Sequence, residues 1–265
     1  MSVENYLEIN RALWNARTRY HVSSAMYDVP GFLKTRFCLK EIETRLLGVI
    51  RGKSVLHLQC HFGMDTLSLA SLGAKVTGLD LSDTAIDQAR QLAKEAGLEA
   101  EFVCANVYEA REMLKETYDV VFTSYGTIGW LPDMRRWARV VADSLKPGGR
   151  FVFVEFHPVV WAFSEDFSRL EYSYFNVTPI VEQSTGTYAD RTASINLPGV
   201  GWNHSLHEVL GALLEAGLQL RKFEEFDYSP QDCFEKSVEV APGRFMIQGM
   251  EGKLPLVYAL EMAKE

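Results

Sequence analysis

The chain has 265 residues, 47% of them hydrophobic, enough to bury a core in one large domain or two small ones. Its net charge is −8 and its densest basic cluster is only "MRRWAR" at 134–139, so it offers no footprint for a phosphate backbone and nucleic acid is excluded as an expected partner. No apolar run approaches the roughly 20 residues that cross a bilayer, and the opening "MSVENYLEIN" has no basic stretch leading into an apolar one; neither a membrane span nor a secretory signal is expected.

Residues 1–50 read as a helical preamble. Within it, "LWNARTRYH" sets Trp14, Arg17 and His21 on one helical face, with Tyr20 beside Arg17. The same pattern also describes an amphipathic helix with Leu13 and Trp14 packed down and Arg17 solvated. From residue 54 strands and helices alternate. "SVLHL" precedes a helix over 64–72, "KVTGL" a helix over 83–95, "EFVCA" a short helix near 107–115, and "DVVFTS" a helix over 133–145; "RFVFVEF" follows. This order predicts an α/β fold, a Rossmann-like parallel sheet with helices on both faces.

The rhythm breaks at 157–203, a stretch rich in aromatics and interrupted by Pro158, Pro179 and Pro198, which reads as an insertion without helical period. Ser205 and Glu208 then form a capping box before "LHEVLGALLEAG", with Gly217 at the helix end. Strands near 218–227 and 254–262 close the domain, the last expected antiparallel. The expectation is one domain: a preamble or lid (1–50), a core (51–156), an insertion on the substrate side (157–203) and a closing helix with strands (204–265). Cys38, Cys60, Cys104 and Cys233 are scattered, with no Cys-x-x-Cys pair, so free thiols and a reducing cytoplasm fit, and no metal site is indicated.

"VLHLQCHFG", residues 55–63, is a strand running into a turn with a single glycine, Gly63, and then a helix. Such a junction is where α/β proteins hold nucleotides. The second strand ends in "GLDLSD", where Asp80 is placed to accept hydrogen bonds from both hydroxyls of a ribose. Asp80 could instead cap the following helix, but Ser82 and Asp83 lie closer to its start.

The stretch "VLHLQCHFGMDTLSLASLGAKVTGLDLSDTAIDQAR" resembles the cofactor-binding half of class I S-adenosylmethionine-dependent methyltransferases. "DVVFTSYGTIGWLPDMRRWARVVADSLKPGGRFVFVEF" looks like the same family's fourth strand, helix and Pro-Gly-Gly turn. The resemblance covers about residues 52–157. It implies S-adenosylmethionine as cofactor, S-adenosylhomocysteine as product and a small-molecule acceptor, with nitrogen, oxygen or sulfur as the atom methylated. On that reading His57, Gln59, His61 and Gly63 form the turn, Asp80 and Leu81 take the ribose side, Asn106 and Val107 the adenine, and Ser124 borders the methionine. The family places an acid and alternating glycines where this chain has His57, Gln59 and His61; His57 brings no negative charge and also reads as a satisfied core histidine. Arg17 or Tyr20 could hold the methionine carboxylate. Trp14, Arg17, Trp161 and Tyr188 are candidates for the acceptor pocket, and His157 and His204 for a general base. A nicotinamide-dependent oxidoreductase and a non-catalytic S-adenosylmethionine-binding module remain as alternatives.

Overall fold

The middle of the chain folds as its hydrophobic periods require. In the computed structural model, which describes residues 3–176 and 178–265, five strands alternate with helices: β1 (Ser54–Leu58), β2 (Lys75–Asp80), β3 (Glu101–Cys104), β4 (Tyr118–Ser124) and β5 (Leu145–Phe156). Val55, Leu56 and Leu58 are all fully buried, the signature of a central strand covered on both faces. Between the strands run α4 (Met64–Ser71), α5 (Asp83–Ala96), α6 (Ala110–Met113) and α7 (Met134–Ser144). Ser82 caps α5 by accepting the Ala85 N–H, and Asp133 caps α7 through the Arg136 N–H. Helix α5 ends at Gly97, whose left-handed φ of 63° suits a residue without a side chain.

The preamble supplies α1 (Tyr6–His21), α2 (Val29–Thr35) and α3 (Glu41–Leu47), and the closing segment α8 (Leu206–Glu215), β8 (Leu218–Phe226) and β11 (Val257–Lys264). The seven-stranded sheet has the order β3-β2-β1-β4-β5-β11-β8. β11 runs antiparallel to both neighbours, and β1 to β5 pair in parallel, as expected. One face packs against α6, α7 and α8 around Trp137, Phe151 and Phe153. The other packs against α3, α4 and α5 around Phe122, Leu67 and Phe102.

Three features differ from the sequence expectation. The preamble divides, because Ile42, Leu46 and Leu47 of α3 are buried in the main core while only α1 and α2 reach over the sheet edge. The insertion contains an antiparallel hairpin, β6 (Ile180–Thr185) with β7 (Asn196–Gly201). A second hairpin, β9 (Ser237–Ala241) with β10 (Arg244–Ile247), lies between the closing strands. Helix α1 bridges these parts. Asn10 exchanges two hydrogen bonds with the backbone of Val200 on β7, at 2.8 and 2.9 Å, as a paired strand residue would. At its other side Asn15 accepts from Ser82 Oγ and donates to Asp83 at the start of α5.

Candidate functional site

The strand order reverses between β1 and β4, so their carboxyl ends diverge and open the crevice in which doubly wound sheets bind ligands. The turn after β1 lines one wall. Gln59 and His61 both have positive φ, 56° and 52°, followed by Gly63 at 80°. Non-glycine residues seldom adopt this region, and each costs on the order of 1 kcal/mol or more. The backbone therefore keeps a glycine-type turn although the sequence has given up two of the glycines.

Asp80 closes that turn. One carboxylate oxygen accepts the His61 N–H at 2.8 Å and the other accepts the Ser82 N–H at 2.9 Å. Each oxygen retains a lone pair for a further donor. Burial raises the Asp80 pKa while the backbone N–H groups oppose the shift. The opposite wall is fixed by Glu155 of β5, a buried carboxylate that accepts the N–H groups of Gly126, Thr127, Ile128 and Phe156. Gln59 Nε2 then donates to the Thr127 carbonyl at 2.7 Å and ties the two walls together, leaving its own Oε1 buried and unpartnered.

A polar group lies where the strand acid is missing. Asp65, in the first turn of α4, accepts from Ser124 Oγ at 3.2 Å and from Cys38 Sγ at 3.2 Å. Beside it Glu43 is buried, accepts from Tyr125 Oη at 2.9 Å, and is pushed up to about 7 by burial and then by the charge of Asp65. His57 is bound to Thr66 Oγ1 at 2.8 Å and lowered to about 4 by burial, so it is a neutral core histidine.

Helix α1 and the β6–β7 region roof the crevice with aromatic rings. Trp14 meets His61 and Trp130 edge-on, with centroids 5.3 and 5.4 Å apart. His21 stacks on Tyr27 and packs against Tyr188, whose hydroxyl lies 2.5 Å from that of Tyr27. His21 Nδ1 is 3.4 Å from His61 Nε2. Burial, and then the charge of Arg17, lower His21 to about 3; His61 is lowered by burial and by His21 and Arg17. Arg17 lies over the rings of Trp14 and Trp130, at 5.2 and 5.4 Å. A surface cleft of about 410 Å³, lined by Met26, Tyr188, Arg191 and Asp232, opens on the outer side of Tyr188.

The structure thus gathers Trp14, Arg17, Gln59, His61, Asp80, Ser124 and Tyr188 at one crevice, with Leu81 beside Asp80 and Val107 buried beside Asn106 at the ends of β2 and β3. Asn106 also caps the turn that follows, its amide oxygen accepting the Tyr108 N–H. Other residues are placed elsewhere. Tyr20 packs with Leu13, Ala193 and Ile195 under the insertion. Trp161 stands against Phe156 and Phe234. His157 pairs with Glu225 at 3.0 Å, across the β11–β8 side of the sheet, and His204 bridges the Leu131 carbonyl and Glu208. Both histidines are buried, and His157 Nδ1 also accepts the Val159 N–H. Gly63 has a packing role not expected of it: a Cβ there would lie 2.7 Å from the Phe102 ring and 2.9 Å from the Ala89 Cβ. Asp65, Tyr27 and Trp130 are the site residues that the sequence did not single out. Among the described residues no His, Cys, Asp or Glu cluster has a metal-holding arrangement, and no helix is long and apolar enough to cross a membrane.

Residues 55–149 match a family described as a methyltransferase domain. Ubiquinone biosynthesis O-methyltransferases are similar: that of Shewanella pealeana is 34% identical over 125 residues, covering 47% of this chain and 52% of the relative. That of Escherichia coli O7:K1 is 32% identical over 161 residues, covering 58% and 65%. The chain thus spans about half to two thirds of these curated relatives. In fold it is similar to an S-adenosylmethionine-dependent methyltransferase from Mesorhizobium loti (TM-score 0.56, 21% identity, 83% of this chain and 94% of that one). It is similar also to the protein of the DhpI-SAH complex (TM-score 0.57, 18% identity, 99% of both). The chain thus has the fold of solved S-adenosylmethionine-dependent methyltransferases, and its segment 55–149 matches a methyltransferase domain.

Proposed function

We propose that this protein transfers a methyl group from S-adenosylmethionine to a small molecule held beneath the α1 roof, as a cytoplasmic enzyme. The observation that carries the reading is Asp80. Its two oxygens brace the turn from within and still have lone pairs for ribose hydroxyls, at the place where the family binds its cofactor.

The residues present fit that cofactor. Asp80 and Leu81 receive the ribose, and Asn106 and Val107 border the adenine. At the methionine end, Asp65 supplies the negative charge that His57 lacks and meets the amine together with Ser124. Gly63 gives α4 no side-chain cap, so N–H groups of its first turn are available to the methionine carboxylate. When bound, the cofactor supplies an electrophilic methyl group on a sulfonium.

The chain's own part is to position and to exclude water. Displacement at the methyl carbon needs the acceptor in line, with reacting atoms about 3 Å apart, and the packed rings of Trp14, His21, Tyr27, Trp130 and Tyr188 are the apolar surface against which it would align. Burial keeps His21 and His61 neutral and weakly basic. Catalysis on this reading comes from alignment, with an acceptor that arrives deprotonated. The similarity to O-methyltransferases supports oxygen as the acceptor atom.

Calorimetric titration with S-adenosylmethionine, S-adenosylhomocysteine and NAD, followed by an acceptor screen, tests the proposal. Binding of the first two and not NAD, with methyl transfer in the screen, is expected. NAD binding alone would replace the reading with an oxidoreductase, and tight S-adenosylmethionine binding with no turnover on any acceptor would point to a binding module.

A further inference from the structure

Among the described residues Arg17 is a cation without an ion-pair partner. Its guanidinium lies against both indoles of the edge-on Trp14–Trp130 pair, and its one side-chain hydrogen bond among the described residues runs from Nη2 to Ser184 Oγ on β6, at 3.1 Å. Nε is buried with no partner, and among the described residues no carboxylate lies within ion-pair distance. Glu182, whose charge Arg17 senses most weakly, is hydrogen-bonded to Tyr172. The surrounding groups are donors or neutral: the hydroxyls of Tyr27 and Tyr188, and His21, fully buried with Nε2 unpartnered. Holding a charge away from water without a counter-ion is costly, and such a group is matched to an incoming opposite charge.

The position assigns that charge to the acceptor. The hydroxyl groups around Arg17, on Ser184, Tyr188 and Tyr27, come from the preamble and the insertion, outside the family-matched segment 55–149, and only Trp130 of its ring pair lies within it. The cofactor's carboxylate has the uncapped start of α4 available. We propose that Arg17 is the receptor for an oxyanion group, of the carboxylate or phosphate class, on the methyl acceptor. Its planar fork can take two oxygens of such a group at once, while Trp14, Trp130 and Tyr188 cover the acceptor's apolar part. The inference deepens the methyltransferase reading by naming the acceptor as an acid. It stands on that reading for what enters the crevice, though not for the unpaired charge.

The test compares the wild type with Arg17→Met, Arg17→Gln and Arg17→Lys, each checked for folding by thermal melting. Isothermal titration measures S-adenosylhomocysteine, 5′-methylthioadenosine (which lacks the amino-acid end), and then benzoate and inorganic phosphate, both with S-adenosylhomocysteine saturating and without it. Expected is binding of benzoate or phosphate to the wild type, weakened roughly tenfold or more in the Met and Gln variants and partly recovered with Lys, while S-adenosylhomocysteine binds all four alike. Loss of S-adenosylhomocysteine affinity with 5′-methylthioadenosine unchanged would assign Arg17 to the cofactor's carboxylate and overturn the proposal. Absence of anion binding, or equal binding by wild type and variants, would overturn it as well. If S-adenosylhomocysteine fails to bind the wild type, the methyltransferase reading falls, and the anion titrations without it still decide the role of Arg17.

Discussion

Replacing Asp80 by Asn tests the cofactor site with almost no change of shape. In the wild type each carboxylate oxygen accepts one backbone N–H, from His61 at 2.8 Å and from Ser82 at 2.9 Å. An Asn side chain can satisfy one of them and must point its NH₂ at the other, leaving a partly buried donor facing a donor. Losing one charge-assisted bond in this way should lower stability by about 1.5–3 kcal/mol, read from urea unfolding. The remaining lone pairs are those offered to the ribose, so S-adenosylhomocysteine should bind roughly tenfold to a hundredfold more weakly. Because the turn itself relaxes in the variant, the direct contact is isolated by a cycle with the 2′,3′-dideoxy analogue of S-adenosylhomocysteine. Wild type should lose affinity for the analogue, while Asp80→Asn should bind both ligands about equally. A folded Asp80→Asn protein with wild-type affinity, or a variant that still discriminates the analogue fully, would refute the assignment.

Gly63→Val should destabilise the fold by roughly 2–4 kcal/mol, because its Cβ would enter the Phe102 ring and its φ of 80° disfavours a branched residue; unaltered unfolding by urea would show that the contact with β3 is loose. Glu43, raised from 4.5 to about 7, holds its proton more tightly folded than unfolded, so its contribution is fully present below about pH 4.5 and is lost as pH rises to about 7. Glu43→Gln should remove that fall, about 3 kcal/mol across the window, whereas parallel stability–pH curves for the two proteins would exclude it. His21, lowered to about 3, has the opposite sign, its contribution being present above pH 6.5 and lost as pH falls, so the wild-type curve should be a shallow dome. Saturating S-adenosylhomocysteine should slow amide exchange in 14–27 and 180–190, as expected of a roof that opens to admit ligand; equal protection with and without it would make α1 fixed scaffold.

The sheet was legible because its information is local. Each strand from β1 to β5 is a short run of β-branched or aromatic residues, each helix repeats its apolar positions at three and four, and Ser82, Ser205 and Gly217 punctuate them as caps should. The two hairpins were not legible for the opposite reason. β6 is mostly exposed or half-exposed, and its pairing with β7 depends on α1 lying across it, so "IVEQST" carries no alternating pattern to read. The division of the preamble likewise depends on which helix meets β5, a tertiary fact.

At the site the same distinction decides each residue. Asp80 could be named because its place at the end of a strand fixes what its side chain can reach. Asp65 could not be named as the source of the negative charge that His57 lacks, since sequence does not show that the first turn of α4 leans its carboxylate onto Ser124 at the end of β4. Gln59 and His61 looked like losses from a glycine turn, yet the backbone retains the left-handed geometry and absorbs its cost, with Asp80 and Thr127 holding each residue from outside. His157 and His204 stand out by their position in the chain, and the carboxylates of Glu225 and Glu208 beside them are brought there by the fold. Arg17 shows the limit most directly. On an isolated helix it is a solvated side chain; only when the hairpin brings Ser184, and the β4 loop brings Trp130, does it become a half-buried charge with no ion-pair partner among the described residues. Whether a charge is costly is settled by residues more than a hundred positions away, which is why a pattern of spacing within α1 could suggest the face and not its chemistry.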